Sequence, residues 1–133
     1  LPSKPENILG GTISSEAWLL VLYPVGGELV CCADRDFHIP IAESLSSPKG
    51  LILLEKFVVI AADCEVQVYH IRRRRLFLLG ACPIGFTPIA VTSTVNLCEF
   101  AVFGAAGEME VFVVNPGKRF LDQRNGTGQK SNE

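Results

Sequence analysis

The sequence predicts an all-β chain built from antiparallel four-stranded repeats, and three observations carry that prediction. First, Phe57-Val-Val-Ile-Ala-Ala-Asp-Cys-Glu-Val-Gln-Val-Tyr-His-Ile71 can be laid without a gap on Phe100-Ala-Val-Phe-Gly-Ala-Ala-Gly-Glu-Met-Glu-Val-Phe-Val-Val114. A weaker copy, Leu20-Val-Leu-Tyr-Pro-Val-Gly-Gly-Glu-Leu-Val-Cys31, matches the first part of the same pattern. Recurrence at a spacing of about 40 residues is the mark of one supersecondary unit used several times. Second, Glu65-Val-Gln-Val-Tyr69 and Glu108-Met-Glu-Val-Phe112 put apolar side chains at every second position, so one face is buried and the other is wet. Third, eight prolines and twelve glycines punctuate the chain, and no stretch carries an apolar period of 3.6 residues.

The elements follow in order. Residues 1–16 read as a polar lead-in containing proline and glycine. Residues 17–114 form the repeat domain. Ala17 to Tyr23 and Glu28 to Ala33 make a first hairpin around Val25-Gly26-Gly27, where glycine suits the positive φ of a tight reversal. Phe37 to Ala42 is the next strand, and Ser46-Ser47-Pro48-Lys49-Gly50 is a turn. Leu51 to Glu55, Phe57 to Ala62, Glu65 to Ile71 and Leu76 to Ala81 are four strands in a row. Ile89 to Ser93, Glu99 to Ala105 and Glu108 to Val114 are three more. Residues 115–133 turn polar, and the reading there is a disordered tail.

Composition fits one compact core: 48% of residues are hydrophobic and 20% charged, which excludes a disordered chain. A formal charge of −2 does not argue for a polyanionic partner. Leu76 to Cys98 has no charge and imitates a membrane span, but Pro83 and Pro88 would interrupt a helix where unsatisfied backbone groups are costly. Two strands joined at Pro83-Ile84-Gly85 explain it better, so no membrane span is expected. The five cysteines are odd in number and lack C-x-x-C spacing. They read as small buried hydrophobes in a reducing compartment, intracellular and either cytoplasmic or nuclear.

Four strands repeated at about 40 residues is the blade rhythm of a β-propeller. Phe57 to Tyr69 and Phe100 to Phe112 resemble the second and third strands of WD40-type blades: a small-residue run ends one strand, a short turn follows, and the next strand closes on an aromatic residue. Tyr69-His70 and Phe112-Val113 stand where that family has Trp-Asp, and the chain has no Gly-His dipeptide. The resemblance implies a partial WD40-like propeller of about three blades. Rings of this kind close with about four to eight blades, so other protein subunits that complete or cap the propeller, or self-association, are the expected partners. The alternative fold is a β-trefoil, which also has three four-strand repeats, acting as a ligand-binding or nucleic-acid-binding domain.

The chemical inventory is thin. His38 and His70 have no Cys, Asp or Glu neighbours at ligand spacing, so neither a metal nor a cofactor is expected. There is no P-loop, no Gly-x-Gly-x-x-Gly after a strand and no Gly-x-Ser-x-Gly, and no catalytic residue is assigned. Glu28, Glu65 and Glu108 recur with the hairpin, which argues for a turn role. The charged feature above background is Arg72, Arg73, Arg74 and Arg75, expected on a loop between two strands. Such a run can grip an acidic protein surface or contact nucleic acid, although no aromatic residues interleave with it to stack on bases. With the turn residues Asp34, Arg35 and Asp36, these arginines are the expected partner-binding residues of a non-catalytic protein-protein interaction scaffold.

Overall fold

The computed structural model describes residues 4–54, 56–96, 98–115 and 121–124. Twelve strands and, among the described residues, no helix build three separate antiparallel sheets. The first runs β1 (Asn7–Ile13), β2 (Glu16–Leu22), β3 (Val25–Cys31) and β4 (His38–Ser46), each paired with the next. The second is β5 (Lys49–Leu53), β6 (Phe57–Ala62), β7 (Glu65–Arg72) and β8 (Arg75–Pro83). The third is β9 (Pro88–Ser93), β10 (Glu99–Gly104), β11 (Met109–Val114) and β12 (Leu121–Arg124), again in chain order.

The sheets stack face to face, and their first strands are neighbours: β1 lies by β5, and β5 by β9. Three meanders with adjacent inner strands are consistent with a partial propeller-like arrangement. A trefoil is excluded, because its strands would share a barrel, whereas each sheet here is a closed set of four. Sheet 2 is the middle layer. Val58, Ile60, Ala62, Tyr69 and Ile71 join Trp18, Leu20, Leu22, Leu29 and Cys31 of sheet 1 in one core. Phe57, Val59, Ala61, Val66 and Val68 join Phe100, Val102, Phe112 and Val114 of sheet 3 in the other. With both faces covered, all six residues of β6 are buried, which is why Phe57 to Ala62 is a continuous apolar run and does not alternate.

Two strands fall outside the predicted repeat domain. β1 lies within the supposed lead-in, where it completes the first sheet along Asn7↔Leu22 to Ile13↔Glu16. Its Gly-Gly pair and the polar residues before it hide it, yet inner strands crowd together and small residues fit there. A Cβ at Gly11 would stand 3.1 Å from Ile52 Cγ2 on β5, and one at Gly50 would stand 2.6 Å from Leu20 Cδ2. β12 lies within the supposed disordered tail and pairs with β11 through the register Val111↔Arg124 to Val114↔Leu121. The rest of that tail after Asn115 lies outside the described residues.

The gapless repeat also conceals a slip. Phe57 pairs with His70 across β6 and β7, whereas Phe100, its sequence counterpart, pairs with Phe112 one position earlier. The Asp63-Cys64 reversal is a two-residue loop, but β10 and β11 are joined by a longer one. One residue of slip exchanges the faces of a strand. Phe57 therefore points toward sheet 3, and Phe100 toward sheet 2, within the same core.

The turn at Gly26-Gly27 lies inside β3 as a bulge, with the register against β4 shifting between Val25 and Gly27. Gly26 has φ of 72°. A Cβ on Gly27 would come 2.7 Å from the Val21 carbonyl oxygen and 2.9 Å from Leu22 Cδ2. A backbone oxygen cannot rotate away as a side chain does. Gly27→Val is expected to lower unfolding free energy by about 1–3 kcal/mol, read as a reduced urea midpoint at unchanged slope. An unaffected midpoint would mean that β2 and β3 do not approach so closely.

Leu76 to Cys98 folds as β8, β9 and their connections. No helix among the described residues is long and apolar enough to cross a membrane. Of the five free cysteines only Cys31 is fully buried; Cys32 and Cys64 are exposed, so the reading of all five as core residues is corrected. Cys31 closes β3 and is buried, whereas Cys32, the next residue, lies past the strand and is exposed.

Candidate functional interface

Two-residue reversals close several hairpins. Ser14-Ser15, Asp63-Cys64 and Arg73-Arg74 have positive φ at both residues, the combination of an I′ turn. For residues other than glycine this conformation costs about 1–2 kcal/mol each. The Arg72 to Arg75 run is thus a hairpin tip: Arg72 ends β7, Arg75 opens β8, and the two are paired. All four side chains are exposed.

The β7–β8 tip stands beside the β1–β2 turn and the β3–β4 connection, so three segments distant in sequence meet at one corner of the stack. Arg74 links them. Its guanidinium is 3.7 Å from Asp34 Oδ2 and 3.8 Å from Glu16 Oε2, and it lies 5.3 Å from the centre of the Phe37 ring. Phe37 in turn packs at 6.0 Å on Trp18, a fully buried residue of the first core. The two ion pairs are long and partly exposed, worth about 0–1 kcal/mol each. They orient the side chain more than they stabilise the fold.

The β3–β4 connection is held by its own backbone. Asp34 N–H donates to the Cys31 carbonyl, Phe37 N–H to the Asp34 carbonyl, and Cys31 N–H to the Phe37 carbonyl, at 3.3, 2.9 and 3.1 Å. Asp36 N–H donates to Asp34 Oδ1 at 3.3 Å. Of the seven residues singled out from sequence, Asp34 and Arg74 are brought into contact. Arg72 and Arg73 line the adjoining cleft, whereas Arg75 stands on β8 and does not. Arg35 contributes its carbonyl to His38 on the other side of the loop. A cleft of about 200 Å³ opens beneath the tip, lined by Ile13, Trp18 and Ile71 below and by Glu16 and the arginines above. Glu16, Trp18 and Phe37 were missed by sequence reasoning. A lone tryptophan in an apolar strand reads as core, and nothing in sequence says that a cleft reaches it.

Glu28, Glu65 and Glu108 share a sequence position but not a role. Glu108 Oε1 accepts from Ala106 N–H at 2.9 Å and so serves its turn. Glu65 accepts from Gln67 Nε2 at 2.8 Å. Glu28 departs from the expected turn role: Tyr23 Oη donates to its Oε2 at 2.5 Å, and His38 Nδ1 stands 2.8 Å from its Oε1. His38 Nε2 is 2.7 Å from the Arg35 carbonyl. Both of His38's partners are acceptors, so the arrangement is complete with an imidazolium, and neither ring nitrogen is left to take a proton from a substrate. Among the described residues no group of His, Cys, Asp and Glu is placed to hold a metal ion.

The electrostatics agree. The hydrogen bond to Glu28, helped by the Arg35 carbonyl, raises the His38 pKa above its ordinary 6.5. Burial alone would raise the Glu28 carboxyl, but hydrogen bonds from Tyr23 and His38 outweigh it and hold it below 4.5. His38's contribution is fully present below its unfolded pKa and fades as pH rises through the raised folded value. Glu28's is fully present above its unfolded pKa and fades as pH falls through the lowered one. The contact therefore stabilises most between the ordinary values of 4.5 and 6.5. Thermal unfolding of the wild type and Glu28→Gln should differ most in that window and converge toward alkaline pH. A gap that widens above neutrality would contradict the assignment. His70 behaves oppositely: burial, then the charges of Arg72 and Lys56, lower its pKa and favour the neutral ring.

Among the described residues, each outer layer leaves one sheet face without a facing sheet. On sheet 1 the register puts Ile8, Leu19, Val21 and Val30 on the side away from sheet 2. Ile8 is 55% and Leu19 37% exposed. On sheet 3, Phe103, Val111 and Val113 are half-buried on the side away from sheet 2, and Met109 beside Phe103 is 48% exposed. Set against known proteins, the chain matches no family model and no curated sequence.

Proposed function

We propose that this chain is a non-catalytic protein-protein interaction scaffold, three WD40-like blades that further protein blades complete. The observation that carries this reading is the pair of unpartnered apolar end faces. In each internal interface one face of a sheet packs on the opposite face of the next, and among the described residues the stack ends with one face of each kind that has no facing sheet. Apolar surface removed from water is worth about 25 cal/mol per Å², so faces of this type favour association. Closure needs at least one more blade by the general range of about four to eight. The five free cysteines fit a reducing, intracellular setting.

The solution mass of the purified chain, measured by light scattering over a range of concentrations, tests the reading. A discrete larger species, or a chain that is insoluble alone and rescued by one co-expressed protein, supports completion by another subunit. A monodisperse monomer with cooperative unfolding at high concentration would overturn it, because such a molecule has no need of blades from elsewhere.

A further inference from the structure

We propose that the cleft beneath the Arg73-Arg74 tip is a docking site for a short acidic peptide segment, with an apolar side chain entering the cleft and a neighbouring carboxylate held by Arg72 and Arg73. The proposal deepens the interaction-scaffold reading by assigning one partner chemistry to one corner, away from the end faces.

The cleft joins two chemistries in one place. Its floor is apolar, made by Ile13, Trp18 and Ile71, each no more than 3% exposed, and Arg72, Arg73 and Arg74 complete its lining. Arg74 already faces Glu16 and Asp34, so the corner is seen to accept carboxylates, and this arginine is occupied by them and by Phe37. No such ion pair engages Arg72 or Arg73 among the described residues, which leaves two planar guanidinium forks for a ligand. The same carboxylates argue against a polyphosphate chain. Glu16 and Asp34 stand at the rim, and a nucleic-acid backbone with a charge at every nucleotide would run against them. Stacking surfaces are lacking too, since Trp18 is buried and Arg74 lies over Phe37. A single carboxylate next to an apolar anchor meets the arginines without meeting the acids.

The backbone supports a role for these side chains. Arg73 and Arg74 occupy φ of 53° and 61°, where Asn-Gly is the favoured pair. Arginine brings no local advantage to that conformation. Residues held in a disfavoured conformation concentrate where a side chain is needed for function.

Trp18 is the single tryptophan and lies buried under the cleft, so its emission is a local probe of occupancy. The probe is an acetylated, amidated peptide with Leu flanked by Asp and Glu; its control carries Asn and Gln instead. Titration of the wild type with the acidic peptide should give a saturable change, and the control should bind at least about tenfold more weakly, one charge-assisted contact being worth about that factor. Arg72→Ser with Arg73→Ser should weaken the acidic peptide by a similar factor while leaving thermal unfolding unchanged, which separates lost binding from lost folding. Arg75→Ser, which removes one positive charge outside the cleft lining, should leave affinity within about twofold once salt is raised to screen distant charge. Equal affinity for the two peptides, or an unchanged affinity in the double variant, would overturn the proposal. So would tighter binding of a single-stranded RNA oligomer that depends on the same two arginines. None of these results depends on the mass measurement, so failure of the peptide site leaves blade completion standing, and the reverse.

Discussion

Trp18→Ala is expected to destabilise the chain by about 3–5 kcal/mol, the usual range for deleting a buried tryptophan. Trp18 is 1% exposed and sits where the core between sheets 1 and 2 meets the β3–β4 connection. Its removal opens a cavity in that core and takes the support from under Phe37, on which Arg74 rests. Because whole domains are stable by about 5–15 kcal/mol, one such loss brings the chain close to unfolding. Trp18→Phe is the informative control. The indole Nε1–H is buried without a hydrogen-bond partner among the described residues, a condition that costs about 1–3 kcal/mol. Phenylalanine loses some volume and also removes that donor, so the two effects offset and the net change should stay within about 1 kcal/mol. Urea unfolding followed by far-ultraviolet circular dichroism measures both variants, since the only tryptophan is the residue being changed. If phenylalanine costs as much as alanine, packing of the ring alone does not explain Trp18.

Most of the strand order was readable because alternation and turn chemistry are local. Glu65 to Ile71 alternates, and β7 alternates in burial along those residues apart from the adjacent buried pair Val68 and Tyr69, where the register against β8 shifts. The missed strands failed for opposite reasons. β1 is held close to β5 by the smallness of Gly11, and a Gly-Gly pair reads as a loop when the neighbouring strand is unknown. β12 is placed by backbone pairing with β11, and backbone pairing leaves no mark in side-chain pattern. The slip between Phe57 and Phe100 was hidden in the same way. Sequence similarity aligned the residues, but loop length decides which face each one takes.

The candidate interface was half legible. Four consecutive arginines stand out in any chain, and the Asp34 turn could be located from its composition. That Arg74 would reach Asp34 required the stacking of sheet 2 on sheet 1, which is a property of the cores. The Tyr23, Glu28 and His38 network shows the same limit. Its members are in adjacent strands and their connections, and only the pairing of β3 with β4 brings the histidine to the carboxylate.

Consecutive residues in a strand normally respond differently to charge, because only one of them faces a core. In β6 they should respond alike. Val58 belongs to the core with sheet 1 and Val59 to the core with sheet 3, both without exposure. Val58→Asp and Val59→Asp should each cost several kcal/mol, since each buries an ionisable group with no partner. The expected result for both is a chain that fails to fold or is recovered as aggregate. In sheet 1 the matching comparison separates: Leu20 is fully buried and Leu19 is 37% exposed on the open end face. Leu20→Asp should unfold the chain, whereas Leu19→Asp should change the stability of the isolated chain by no more than about 1 kcal/mol. If the end face receives another blade, Leu19→Asp should also abolish the larger species seen by light scattering, because the aspartate would be buried there. Tolerance at Val58 or Val59 would mean that sheet 2 is not the central layer. Equal damage at Leu19 and Leu20 would mean that the end face is already covered, and the case for blade completion would fail with it.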